Sequence, residues 1–171
     1  MCTSRWTNWP TAKPVKTAAN ESALGLEISI SDCSKSDFEG IFPLLQQLWP
    51  AKSLDPETLR ALFSGAIDSN SRVLLCARLD GRVVGFGSIT LKTHLWHGGL
   101  IAWVDELVVD TECRKRGIGQ RLLERLASLA RERGCRAMEL DSAFHRVEAH
   151  AFYEKLGFEK RAFLFAKTFV D

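Results

Sequence analysis

Apolar and polar residues alternate along LEISISD, with Leu26, Ile28 and Ile30 on one side, and this period of two predicts a half-buried strand. The polar run SDCSKSD ends it, and FEGIFPLLQQLW then carries apolar residues at helical spacing, with Pro43 either in the first turn or kinking the helix. DPETLRALFSGAI opens with Asp55 as cap, Pro56 at the first helical position and Glu57 in the first turn, which predicts a second short helix. SRVLLCARL and RVVGFGSITL read as two strands joined by Asp80-Gly81, the favoured pair for a tight type I′ hairpin, so they pair antiparallel. Gly85 and Gly87 inside the second run mark a bulge or the close approach of another backbone.

KTHLWHGG reads as a loop, and LIAWVDELVV as a third strand that is apolar on both faces except at Asp105 and Glu106. From Ile118 the apolar positions Leu122, Leu126, Leu129 and Ala130 recur at helical spacing as far as Gly134, a residue suited to the position just past a helix end. RAMELD predicts a short strand, EAHAFYEKL a short helix closed by Gly157, and FEKRAFLFAKTFV one or two final strands. Residues 1–23 lack apolar periodicity and read as a loosely structured leader ahead of a single domain at 24–171. The sum is a mixed α and β chain.

Composition narrows the class. A chain of 171 residues with 46% hydrophobic and 26% charged residues suits one globular domain. Its formal net charge of +2 gives no general basis for binding nucleic acid or a membrane, so any basic patch is local. Five cysteines (Cys2, Cys33, Cys76, Cys113, Cys135) include no C-x-x-C pair, which points to reduced thiols. No run approaches the roughly 18 apolar residues of a membrane span, and the N-terminus lacks the apolar centre of a signal peptide, so a cytoplasmic protein is expected.

The local basic patch is CRKRGIGQRLL, residues 113–123. A strand ending near Val109, a short loop of cations and glycines, and a helix starting near Gly117 bring unpaired N–H groups and a helix N-terminus together, which makes an anion site. It is not a P-loop, which needs Lys and then Ser or Thr after its second glycine, where Gln120 and Arg121 stand. A dinucleotide fingerprint wants its first glycine directly after the strand and a third at Leu122; seven residues separate Val109 from Gly117, although Asp141 would supply the acid.

What fits is Arg-x-x-Gly-x-Gly, here Arg114, Lys115, Arg116, Gly117, Ile118 and Gly119, after a strand reading DELVV. It resembles the signature of the GNAT superfamily of acyl-CoA-dependent N-acyltransferases. The likeness extends over residues 82–169, where AHAFYEKLGF is similar to the family's A-x-x-F-Y-x-K-x-G-F ending, about 30 residues on. The resemblance implies a GNAT-like α/β (α+β) fold: a mixed, mostly antiparallel central sheet with a splayed strand pair, flanked by helices on both faces. It further implies an N-acetyltransferase that uses acetyl-CoA as co-substrate, needs no metal, and passes the acetyl group directly to a primary amine in a ternary complex. A small-molecule acceptor is favoured over a protein, although a polyamine, an aminoglycoside, an amino-acid-like molecule and a protein amine all stay open. A homodimer is expected by the same likeness. The competing reading is a non-catalytic CoA-binding sensor or scaffold module.

On this resemblance the N–H groups of Arg114, Lys115, Arg116, Gly117, Ile118, Gly119 and Gln120 hold the pyrophosphate, and the main chain of Leu107, Val108 and Val109 pairs with the pantetheine arm. A backbone N–H near Val109 then stabilises the oxyanion. Where the family often carries Asn, seven residues before Tyr153, this chain has Arg146, whose place near a helix start suits a cofactor phosphate. An amine with a pKa near 10.4 is neutral in only about one molecule in 10³ at pH 7, a penalty of roughly 4–5 kcal/mol, so a base is needed. Strand alternation sends Asp105 and Glu106 to opposite faces unless a bulge at this place breaks the alternation, with Glu106 favoured over Asp105 as the base. Tyr153, the chain's one tyrosine, resembles the family's thiolate-facing tyrosine.

Other candidates read as structural. Cys113 has no assignable partner histidine, His94-x-x-His97 lacks a third ligand, and Arg121, Arg125, Arg131 and Arg133 form a solvated helix face. The acceptor pocket is expected from residues 36–66, the loop at 92–100 and the last strands, with Trp49, Phe63, Trp96 and His97 among its residues and Trp103 as packing or wall.

Overall fold

The computed structural model describes residues 27–169; the leader read at 1–23, the strand start at Leu26 and the last two residues lie outside them. The chain begins with strand β1 (Ile28–Asp32) and, after a short 3-10 turn, helix α1 (Phe38–Leu48) and helix α2 (Pro56–Ile67). Pro43 falls inside α1 rather than in its first turn. Asp55 caps α2 as its sequence predicts, its carboxylate accepting the Thr58 N–H at 2.8 Å.

Strands β2 (Arg72–Leu79) and β3 (Arg82–His94) form the hairpin, with Asp80 and Gly81 both at positive φ (+50° and +80°), as a type I′ turn demands. Strand β4 (Gly99–Val109) follows, so the expected loop is shorter than read: Lys92, Thr93 and His94 extend β3, and Gly99 already opens β4. After β4 come helix α3 (Ile118–Glu132), strand β5 (Met138–Glu139) and helix α4 (Val147–Lys155).

The sheet order is β1-β2-β3-β4-β5, antiparallel until β5, which runs parallel to β4. That parallel pairing is confined to Ala102 with Met138 and Trp103 with Glu139; the two strands then part, and β4 runs on to Val109 paired with β3 only. The splayed pair is therefore real, and most of the RAMELD strand is not. Residues 158–169 form no strand either, against expectation: their alternating pattern suits a ladder, but they find no neighbour in the sheet, and Phe163, Leu164, Phe165 and Phe169 are exposed.

Two cores sandwich the sheet. On one face Val73, Leu75, Ala77, Ile89, Ala102 and Val104 pack against Ile118, Leu122 and Leu126 of α3 and Tyr153 of α4. On the other, Leu74, Cys76, Phe86 and Val108 pack beneath Phe38, Ile41, Leu44 and Phe63 of α1 and α2. Gly85 and Gly87 serve the α3 face. A Cβ on Gly85 would stand 3.0 Å from Leu122 Cδ1, and one on Gly87 3.0 Å from Leu126 Cδ1, so leucine side chains, not another backbone, approach them. The ladder is bulged twice, with Val84 as the extra residue of β3 against β2 and Asp105 as the extra residue of β4 against β3.

Candidate active site

The basic loop is built from the end of β4 outward. Asp110 accepts the Glu112 N–H at 3.1 Å and takes Arg82 Nη1 at 2.9 Å, while the Thr111 N–H reaches Gln47 Oε1 of α1 at 3.0 Å. These ties hold the base of the loop, and Arg114, Lys115 and Arg116 stand exposed beyond it. Lys115 (φ +62°) and Gly117 (φ +74°) both adopt the left-handed region, which turns the chain sharply into α3. The first internal bond of α3 runs from the Arg121 N–H to Gly117 O at 3.0 Å, so the amides of Ile118, Gly119 and Gln120 have no helical acceptor. Gly117 offers no capping side chain, and the first turn holds no acid. The result is an open, electropositive helix end.

Beside it lies the free edge of β4. The Asp110 N–H donates to Val84 O of β3 at 2.9 Å, and ladder alternation then turns the N–H and C=O of Val109 and Leu107 away from β3, into the gap left by the departing β5. Arg114 Nε occupies the Val109 carbonyl at 3.1 Å, which leaves the Val109 N–H to face the gap. Val108 differs from its neighbours: its side chain is buried in the α1/α2 core and its amide belongs to the β3 side. Gly119 borders the same gap, where its Cβ position lies 3.6 Å from both Val109 Cγ2 and Phe152 Cζ.

The bulge at Asp105 corrects the expectation for the two carboxylates. They do not point to opposite faces. Glu106 accepts a hydrogen bond from Ser88 Oγ, and Asp105 accepts one from Thr90 Oγ1 at 2.6 Å. Ser88 and Thr90 share one face of β3 with Phe86, so both acids lie on the α1/α2 face. Burial pushes the Glu106 carboxyl above the usual carboxylate range and neighbouring Asp105 adds to the rise; the Ser88 hydrogen bond and Arg72 pull the other way. Asp105 is exposed, Glu106 half-buried. Neither Ser88 nor Thr90 was singled out by its sequence, although the signal was there: hydroxyls at alternate positions of β3, on the face that carries acids in the next strand.

Tyr153 sits on α4 within the α3-side core, 9% exposed, with Phe152 and Phe158 against its ring at 5.3 and 5.8 Å. Burial pushes its phenol up, so it stays protonated through neutral pH. Arg146 stands at the N-cap of α4, with its charge close enough to Tyr153 to temper that rise. The remaining candidates take structural places. His97 Nε2 meets Glu139 Oε1 at 2.9 Å, Lys92 Nζ lies 3.9 Å over the Trp103 ring, and Trp49 ends α1 at the edge of its core. Arg121, Arg125, Arg131 and Arg133 are exposed, as read. Cys33, Cys76, Cys113 and Cys135 are free thiols, with Cys33 and Cys76 touching at 2.7 Å.

Comparison with known proteins bears on the same residues. The family model described as Acetyltransferase (GNAT) family matches residues 38–158. An aminoalkylphosphonate N-acetyltransferase of Salmonella typhimurium is 33% identical over 133 residues, 77% of this chain and 85% of that protein. A probable glucosamine 6-phosphate N-acetyltransferase 2 of Oryza sativa subsp. japonica is 30% identical over 158 residues, 88% of this chain and 93% of its own. The aminoglycoside N-acetyltransferase AAC(6')-Iy, solved in complex with CoA, shares the fold at a TM-score of 0.74 and 22% identity, covering 84% of this chain and 96% of that one.

Proposed function

Because the chain belongs to the acetyltransferase (GNAT) family, and the relatives above are named as N-acetyltransferases, we propose that it transfers the acetyl group of acetyl-CoA to the primary amine of a small molecule by direct attack in a ternary complex. The amides of Gly117, Ile118, Gly119 and Gln120 receive the pyrophosphate, with Arg114, Lys115 and Arg116 around it and Arg146 available to a further phosphate. Leu107 and Val109, either side of the buried Val108, offer main-chain groups to the pantetheine arm like an added strand.

Glu106, with Asp105 beside it, takes the proton from the acceptor ammonium. The freed nitrogen lone pair forms a bond to the thioester carbon, and the Val109 N–H stabilises the oxyanion. As the tetrahedral species collapses the C–S bond breaks, the departing sulfur, whose thiol pKa is near 8.5, receives the Tyr153 proton, and the second proton that the attacking nitrogen sheds on becoming an amide restores the Tyr153 phenol. A single observation carries this conclusion: Glu106 is a half-buried carboxyl whose proton affinity is raised by burial, on the same strand that presents the free edge at Val109. General bases for amines need such a raised affinity.

The test is thiol release from acetyl-CoA with 2-aminoethylphosphonate, glucosamine 6-phosphate and an aminoglycoside as acceptors. Glu106→Gln is expected to lower kcat by about 10²–10⁴-fold. Tight CoA binding with no turnover on any amine would instead make the chain a binding module. The small-molecule acceptor is supported by the relatives above, named for aminoalkylphosphonate and glucosamine 6-phosphate.

Three organisational readings go with this function. One domain at 24–171 after a leader is supported by the family match at 38–158 and is checked by the activity of a chain starting at residue 24. A homodimer is supported by the exposed Phe163, Leu164, Phe165 and Phe169, which a second copy would cover; light scattering of a monomer at high concentration would refute it. A cytoplasmic location accords with the four free thiols among the described residues, none of whose helices is long and apolar enough to cross a membrane; cell fractionation decides it.

A further inference from the structure

Ser88 and Asp110 are the two polar residues buried among the described residues, and Asp110 is accounted for by the loop it ties down. Ser88 is only 4% exposed, deep in the central strand of the sheet. A hydroxyl there loses its water and is tolerated only where it finds another partner; valine would serve the ladder as well. The partner is Glu106. Ser88 stands opposite it in the β3–β4 ladder, the last pair before the register slips past Asp105, and donates its hydroxyl to Glu106 Oε2. The bulge thus re-aims β4 at the residue where β3 supplies a donor.

We infer that Ser88 is a positioning residue of acetyl transfer: by holding Oε2 it fixes the Glu106 carboxylate so that Oε1 is the oxygen that meets the acceptor ammonium. A base that rotates freely spends part of its time misaligned, and alignment of reacting groups is worth large factors in rate. The same hydrogen bond favours the charged carboxylate against the burial that opposes it, so Ser88 sets both the aim of Glu106 and its affinity for the proton. The inference rests on Glu106 being the base.

The experiment titrates Glu106 by NMR in the full chain labelled with ¹³C at its glutamate carboxyl carbons, the signal being assigned by its loss in Glu106→Gln. In Ser88→Ala the midpoint is expected to rise by about one to two pH units, since the lost donor favoured the charged form. Ser88→Thr keeps the hydroxyl and is expected to return the midpoint toward wild type. In thiol-release assays with the three acceptors named above, the acid limb of kcat/KM moves to higher pH in Ser88→Ala, kcat falls about tenfold and KM for acetyl-CoA is unchanged. A folded Ser88→Ala protein with the wild-type Glu106 midpoint and an unmoved acid limb overturns the inference. Failure of the underlying reading looks different: Glu106→Gln would turn over at the wild-type rate whatever Ser88 does to the midpoint, and the role of Ser88 in the reaction would fall with it.

Discussion

Arg82 Nη1 donates to Asp110 Oδ2 at 2.9 Å, tying the residue after the hairpin turn to the residue that follows β4. The carboxylate is nearly buried and also accepts the Glu112 N–H, so it anchors both the hairpin and the basic loop. Asp110→Ala leaves those donors without their acceptor, at a cost of about 1–3 kcal/mol. The melting temperature is expected to drop by about 2–12 °C. Loop disorder should also raise KM for acetyl-CoA by about tenfold, read by steady-state kinetics.

The two glycines of the loop fail differently when replaced. Gly117 has φ +74° and open space around its Cβ position, so alanine there meets no clash but strains the backbone by about 1–2 kcal/mol. Gly117→Ala is expected to weaken CoA binding about tenfold by calorimetry, and Gly117→Asn, which tolerates that conformation better, to weaken it less.

Gly119 carries no such strain, and a Cβ there would lie at ordinary contact distance, 3.6 Å, from Val109 and Phe152. Gly119→Ala should therefore retain CoA binding. Gly119→Phe sends a ring into the gap between β4 and α4 and is expected to abolish detectable binding, while circular dichroism shows the helices kept.

Local chemistry made most of the architecture legible. Asp55 with Pro56 announced α2, Asp80-Gly81 announced a hairpin, and Gly117 and Gly134 bracketed α3, because each device acts within a few residues of itself. Whether a bulge falls at Asp105, and so which way the two acids face, was not legible. Bulges of this kind need no glycine, so LIAWVDELVV carries no mark of one, and only the partners Ser88 and Thr90 reveal which way the acids face. The tail fails for a related reason. Phe163, Phe165 and Phe169 keep the period of a strand, but a strand exists only through a neighbour, and pairing is settled far away in sequence.

Tyr153→Phe removes a hydroxyl and little volume from the core between α3 and α4. The melting temperature should hardly change. If the phenol protonates the departing thiolate, kcat is expected to fall by about 10- to 100-fold, a modest loss because the thiolate is already a good leaving group. KM for acetyl-CoA is expected to stay near its wild-type value, which separates proton transfer from binding.

Glu106 couples activity to stability through its proton. In the unfolded chain its carboxyl has an ordinary pKa near 4.3; in the fold, burial raises it. The folded state therefore holds this proton more tightly, so the contribution of Glu106 to stability is most favourable below the unfolded value. It is lost as pH rises through the folded value, the reverse of a salt-bridged carboxylate. Above the folded value the protein carries a half-buried charge that it would be more stable without. Glu106→Gln keeps the shape and lets the amide accept the Ser88 hydrogen bond, so it is expected to melt higher than wild type at neutral pH. The gap should close as the pH falls below the unfolded carboxylate range. Melts across pH, set beside the loss of turnover in the same variant, measure both sides of that exchange. A Glu106→Gln protein that melts below wild type at neutral pH would show that the carboxylate is held by partners strong enough to outweigh its burial, and would remove the physical basis for its raised proton affinity.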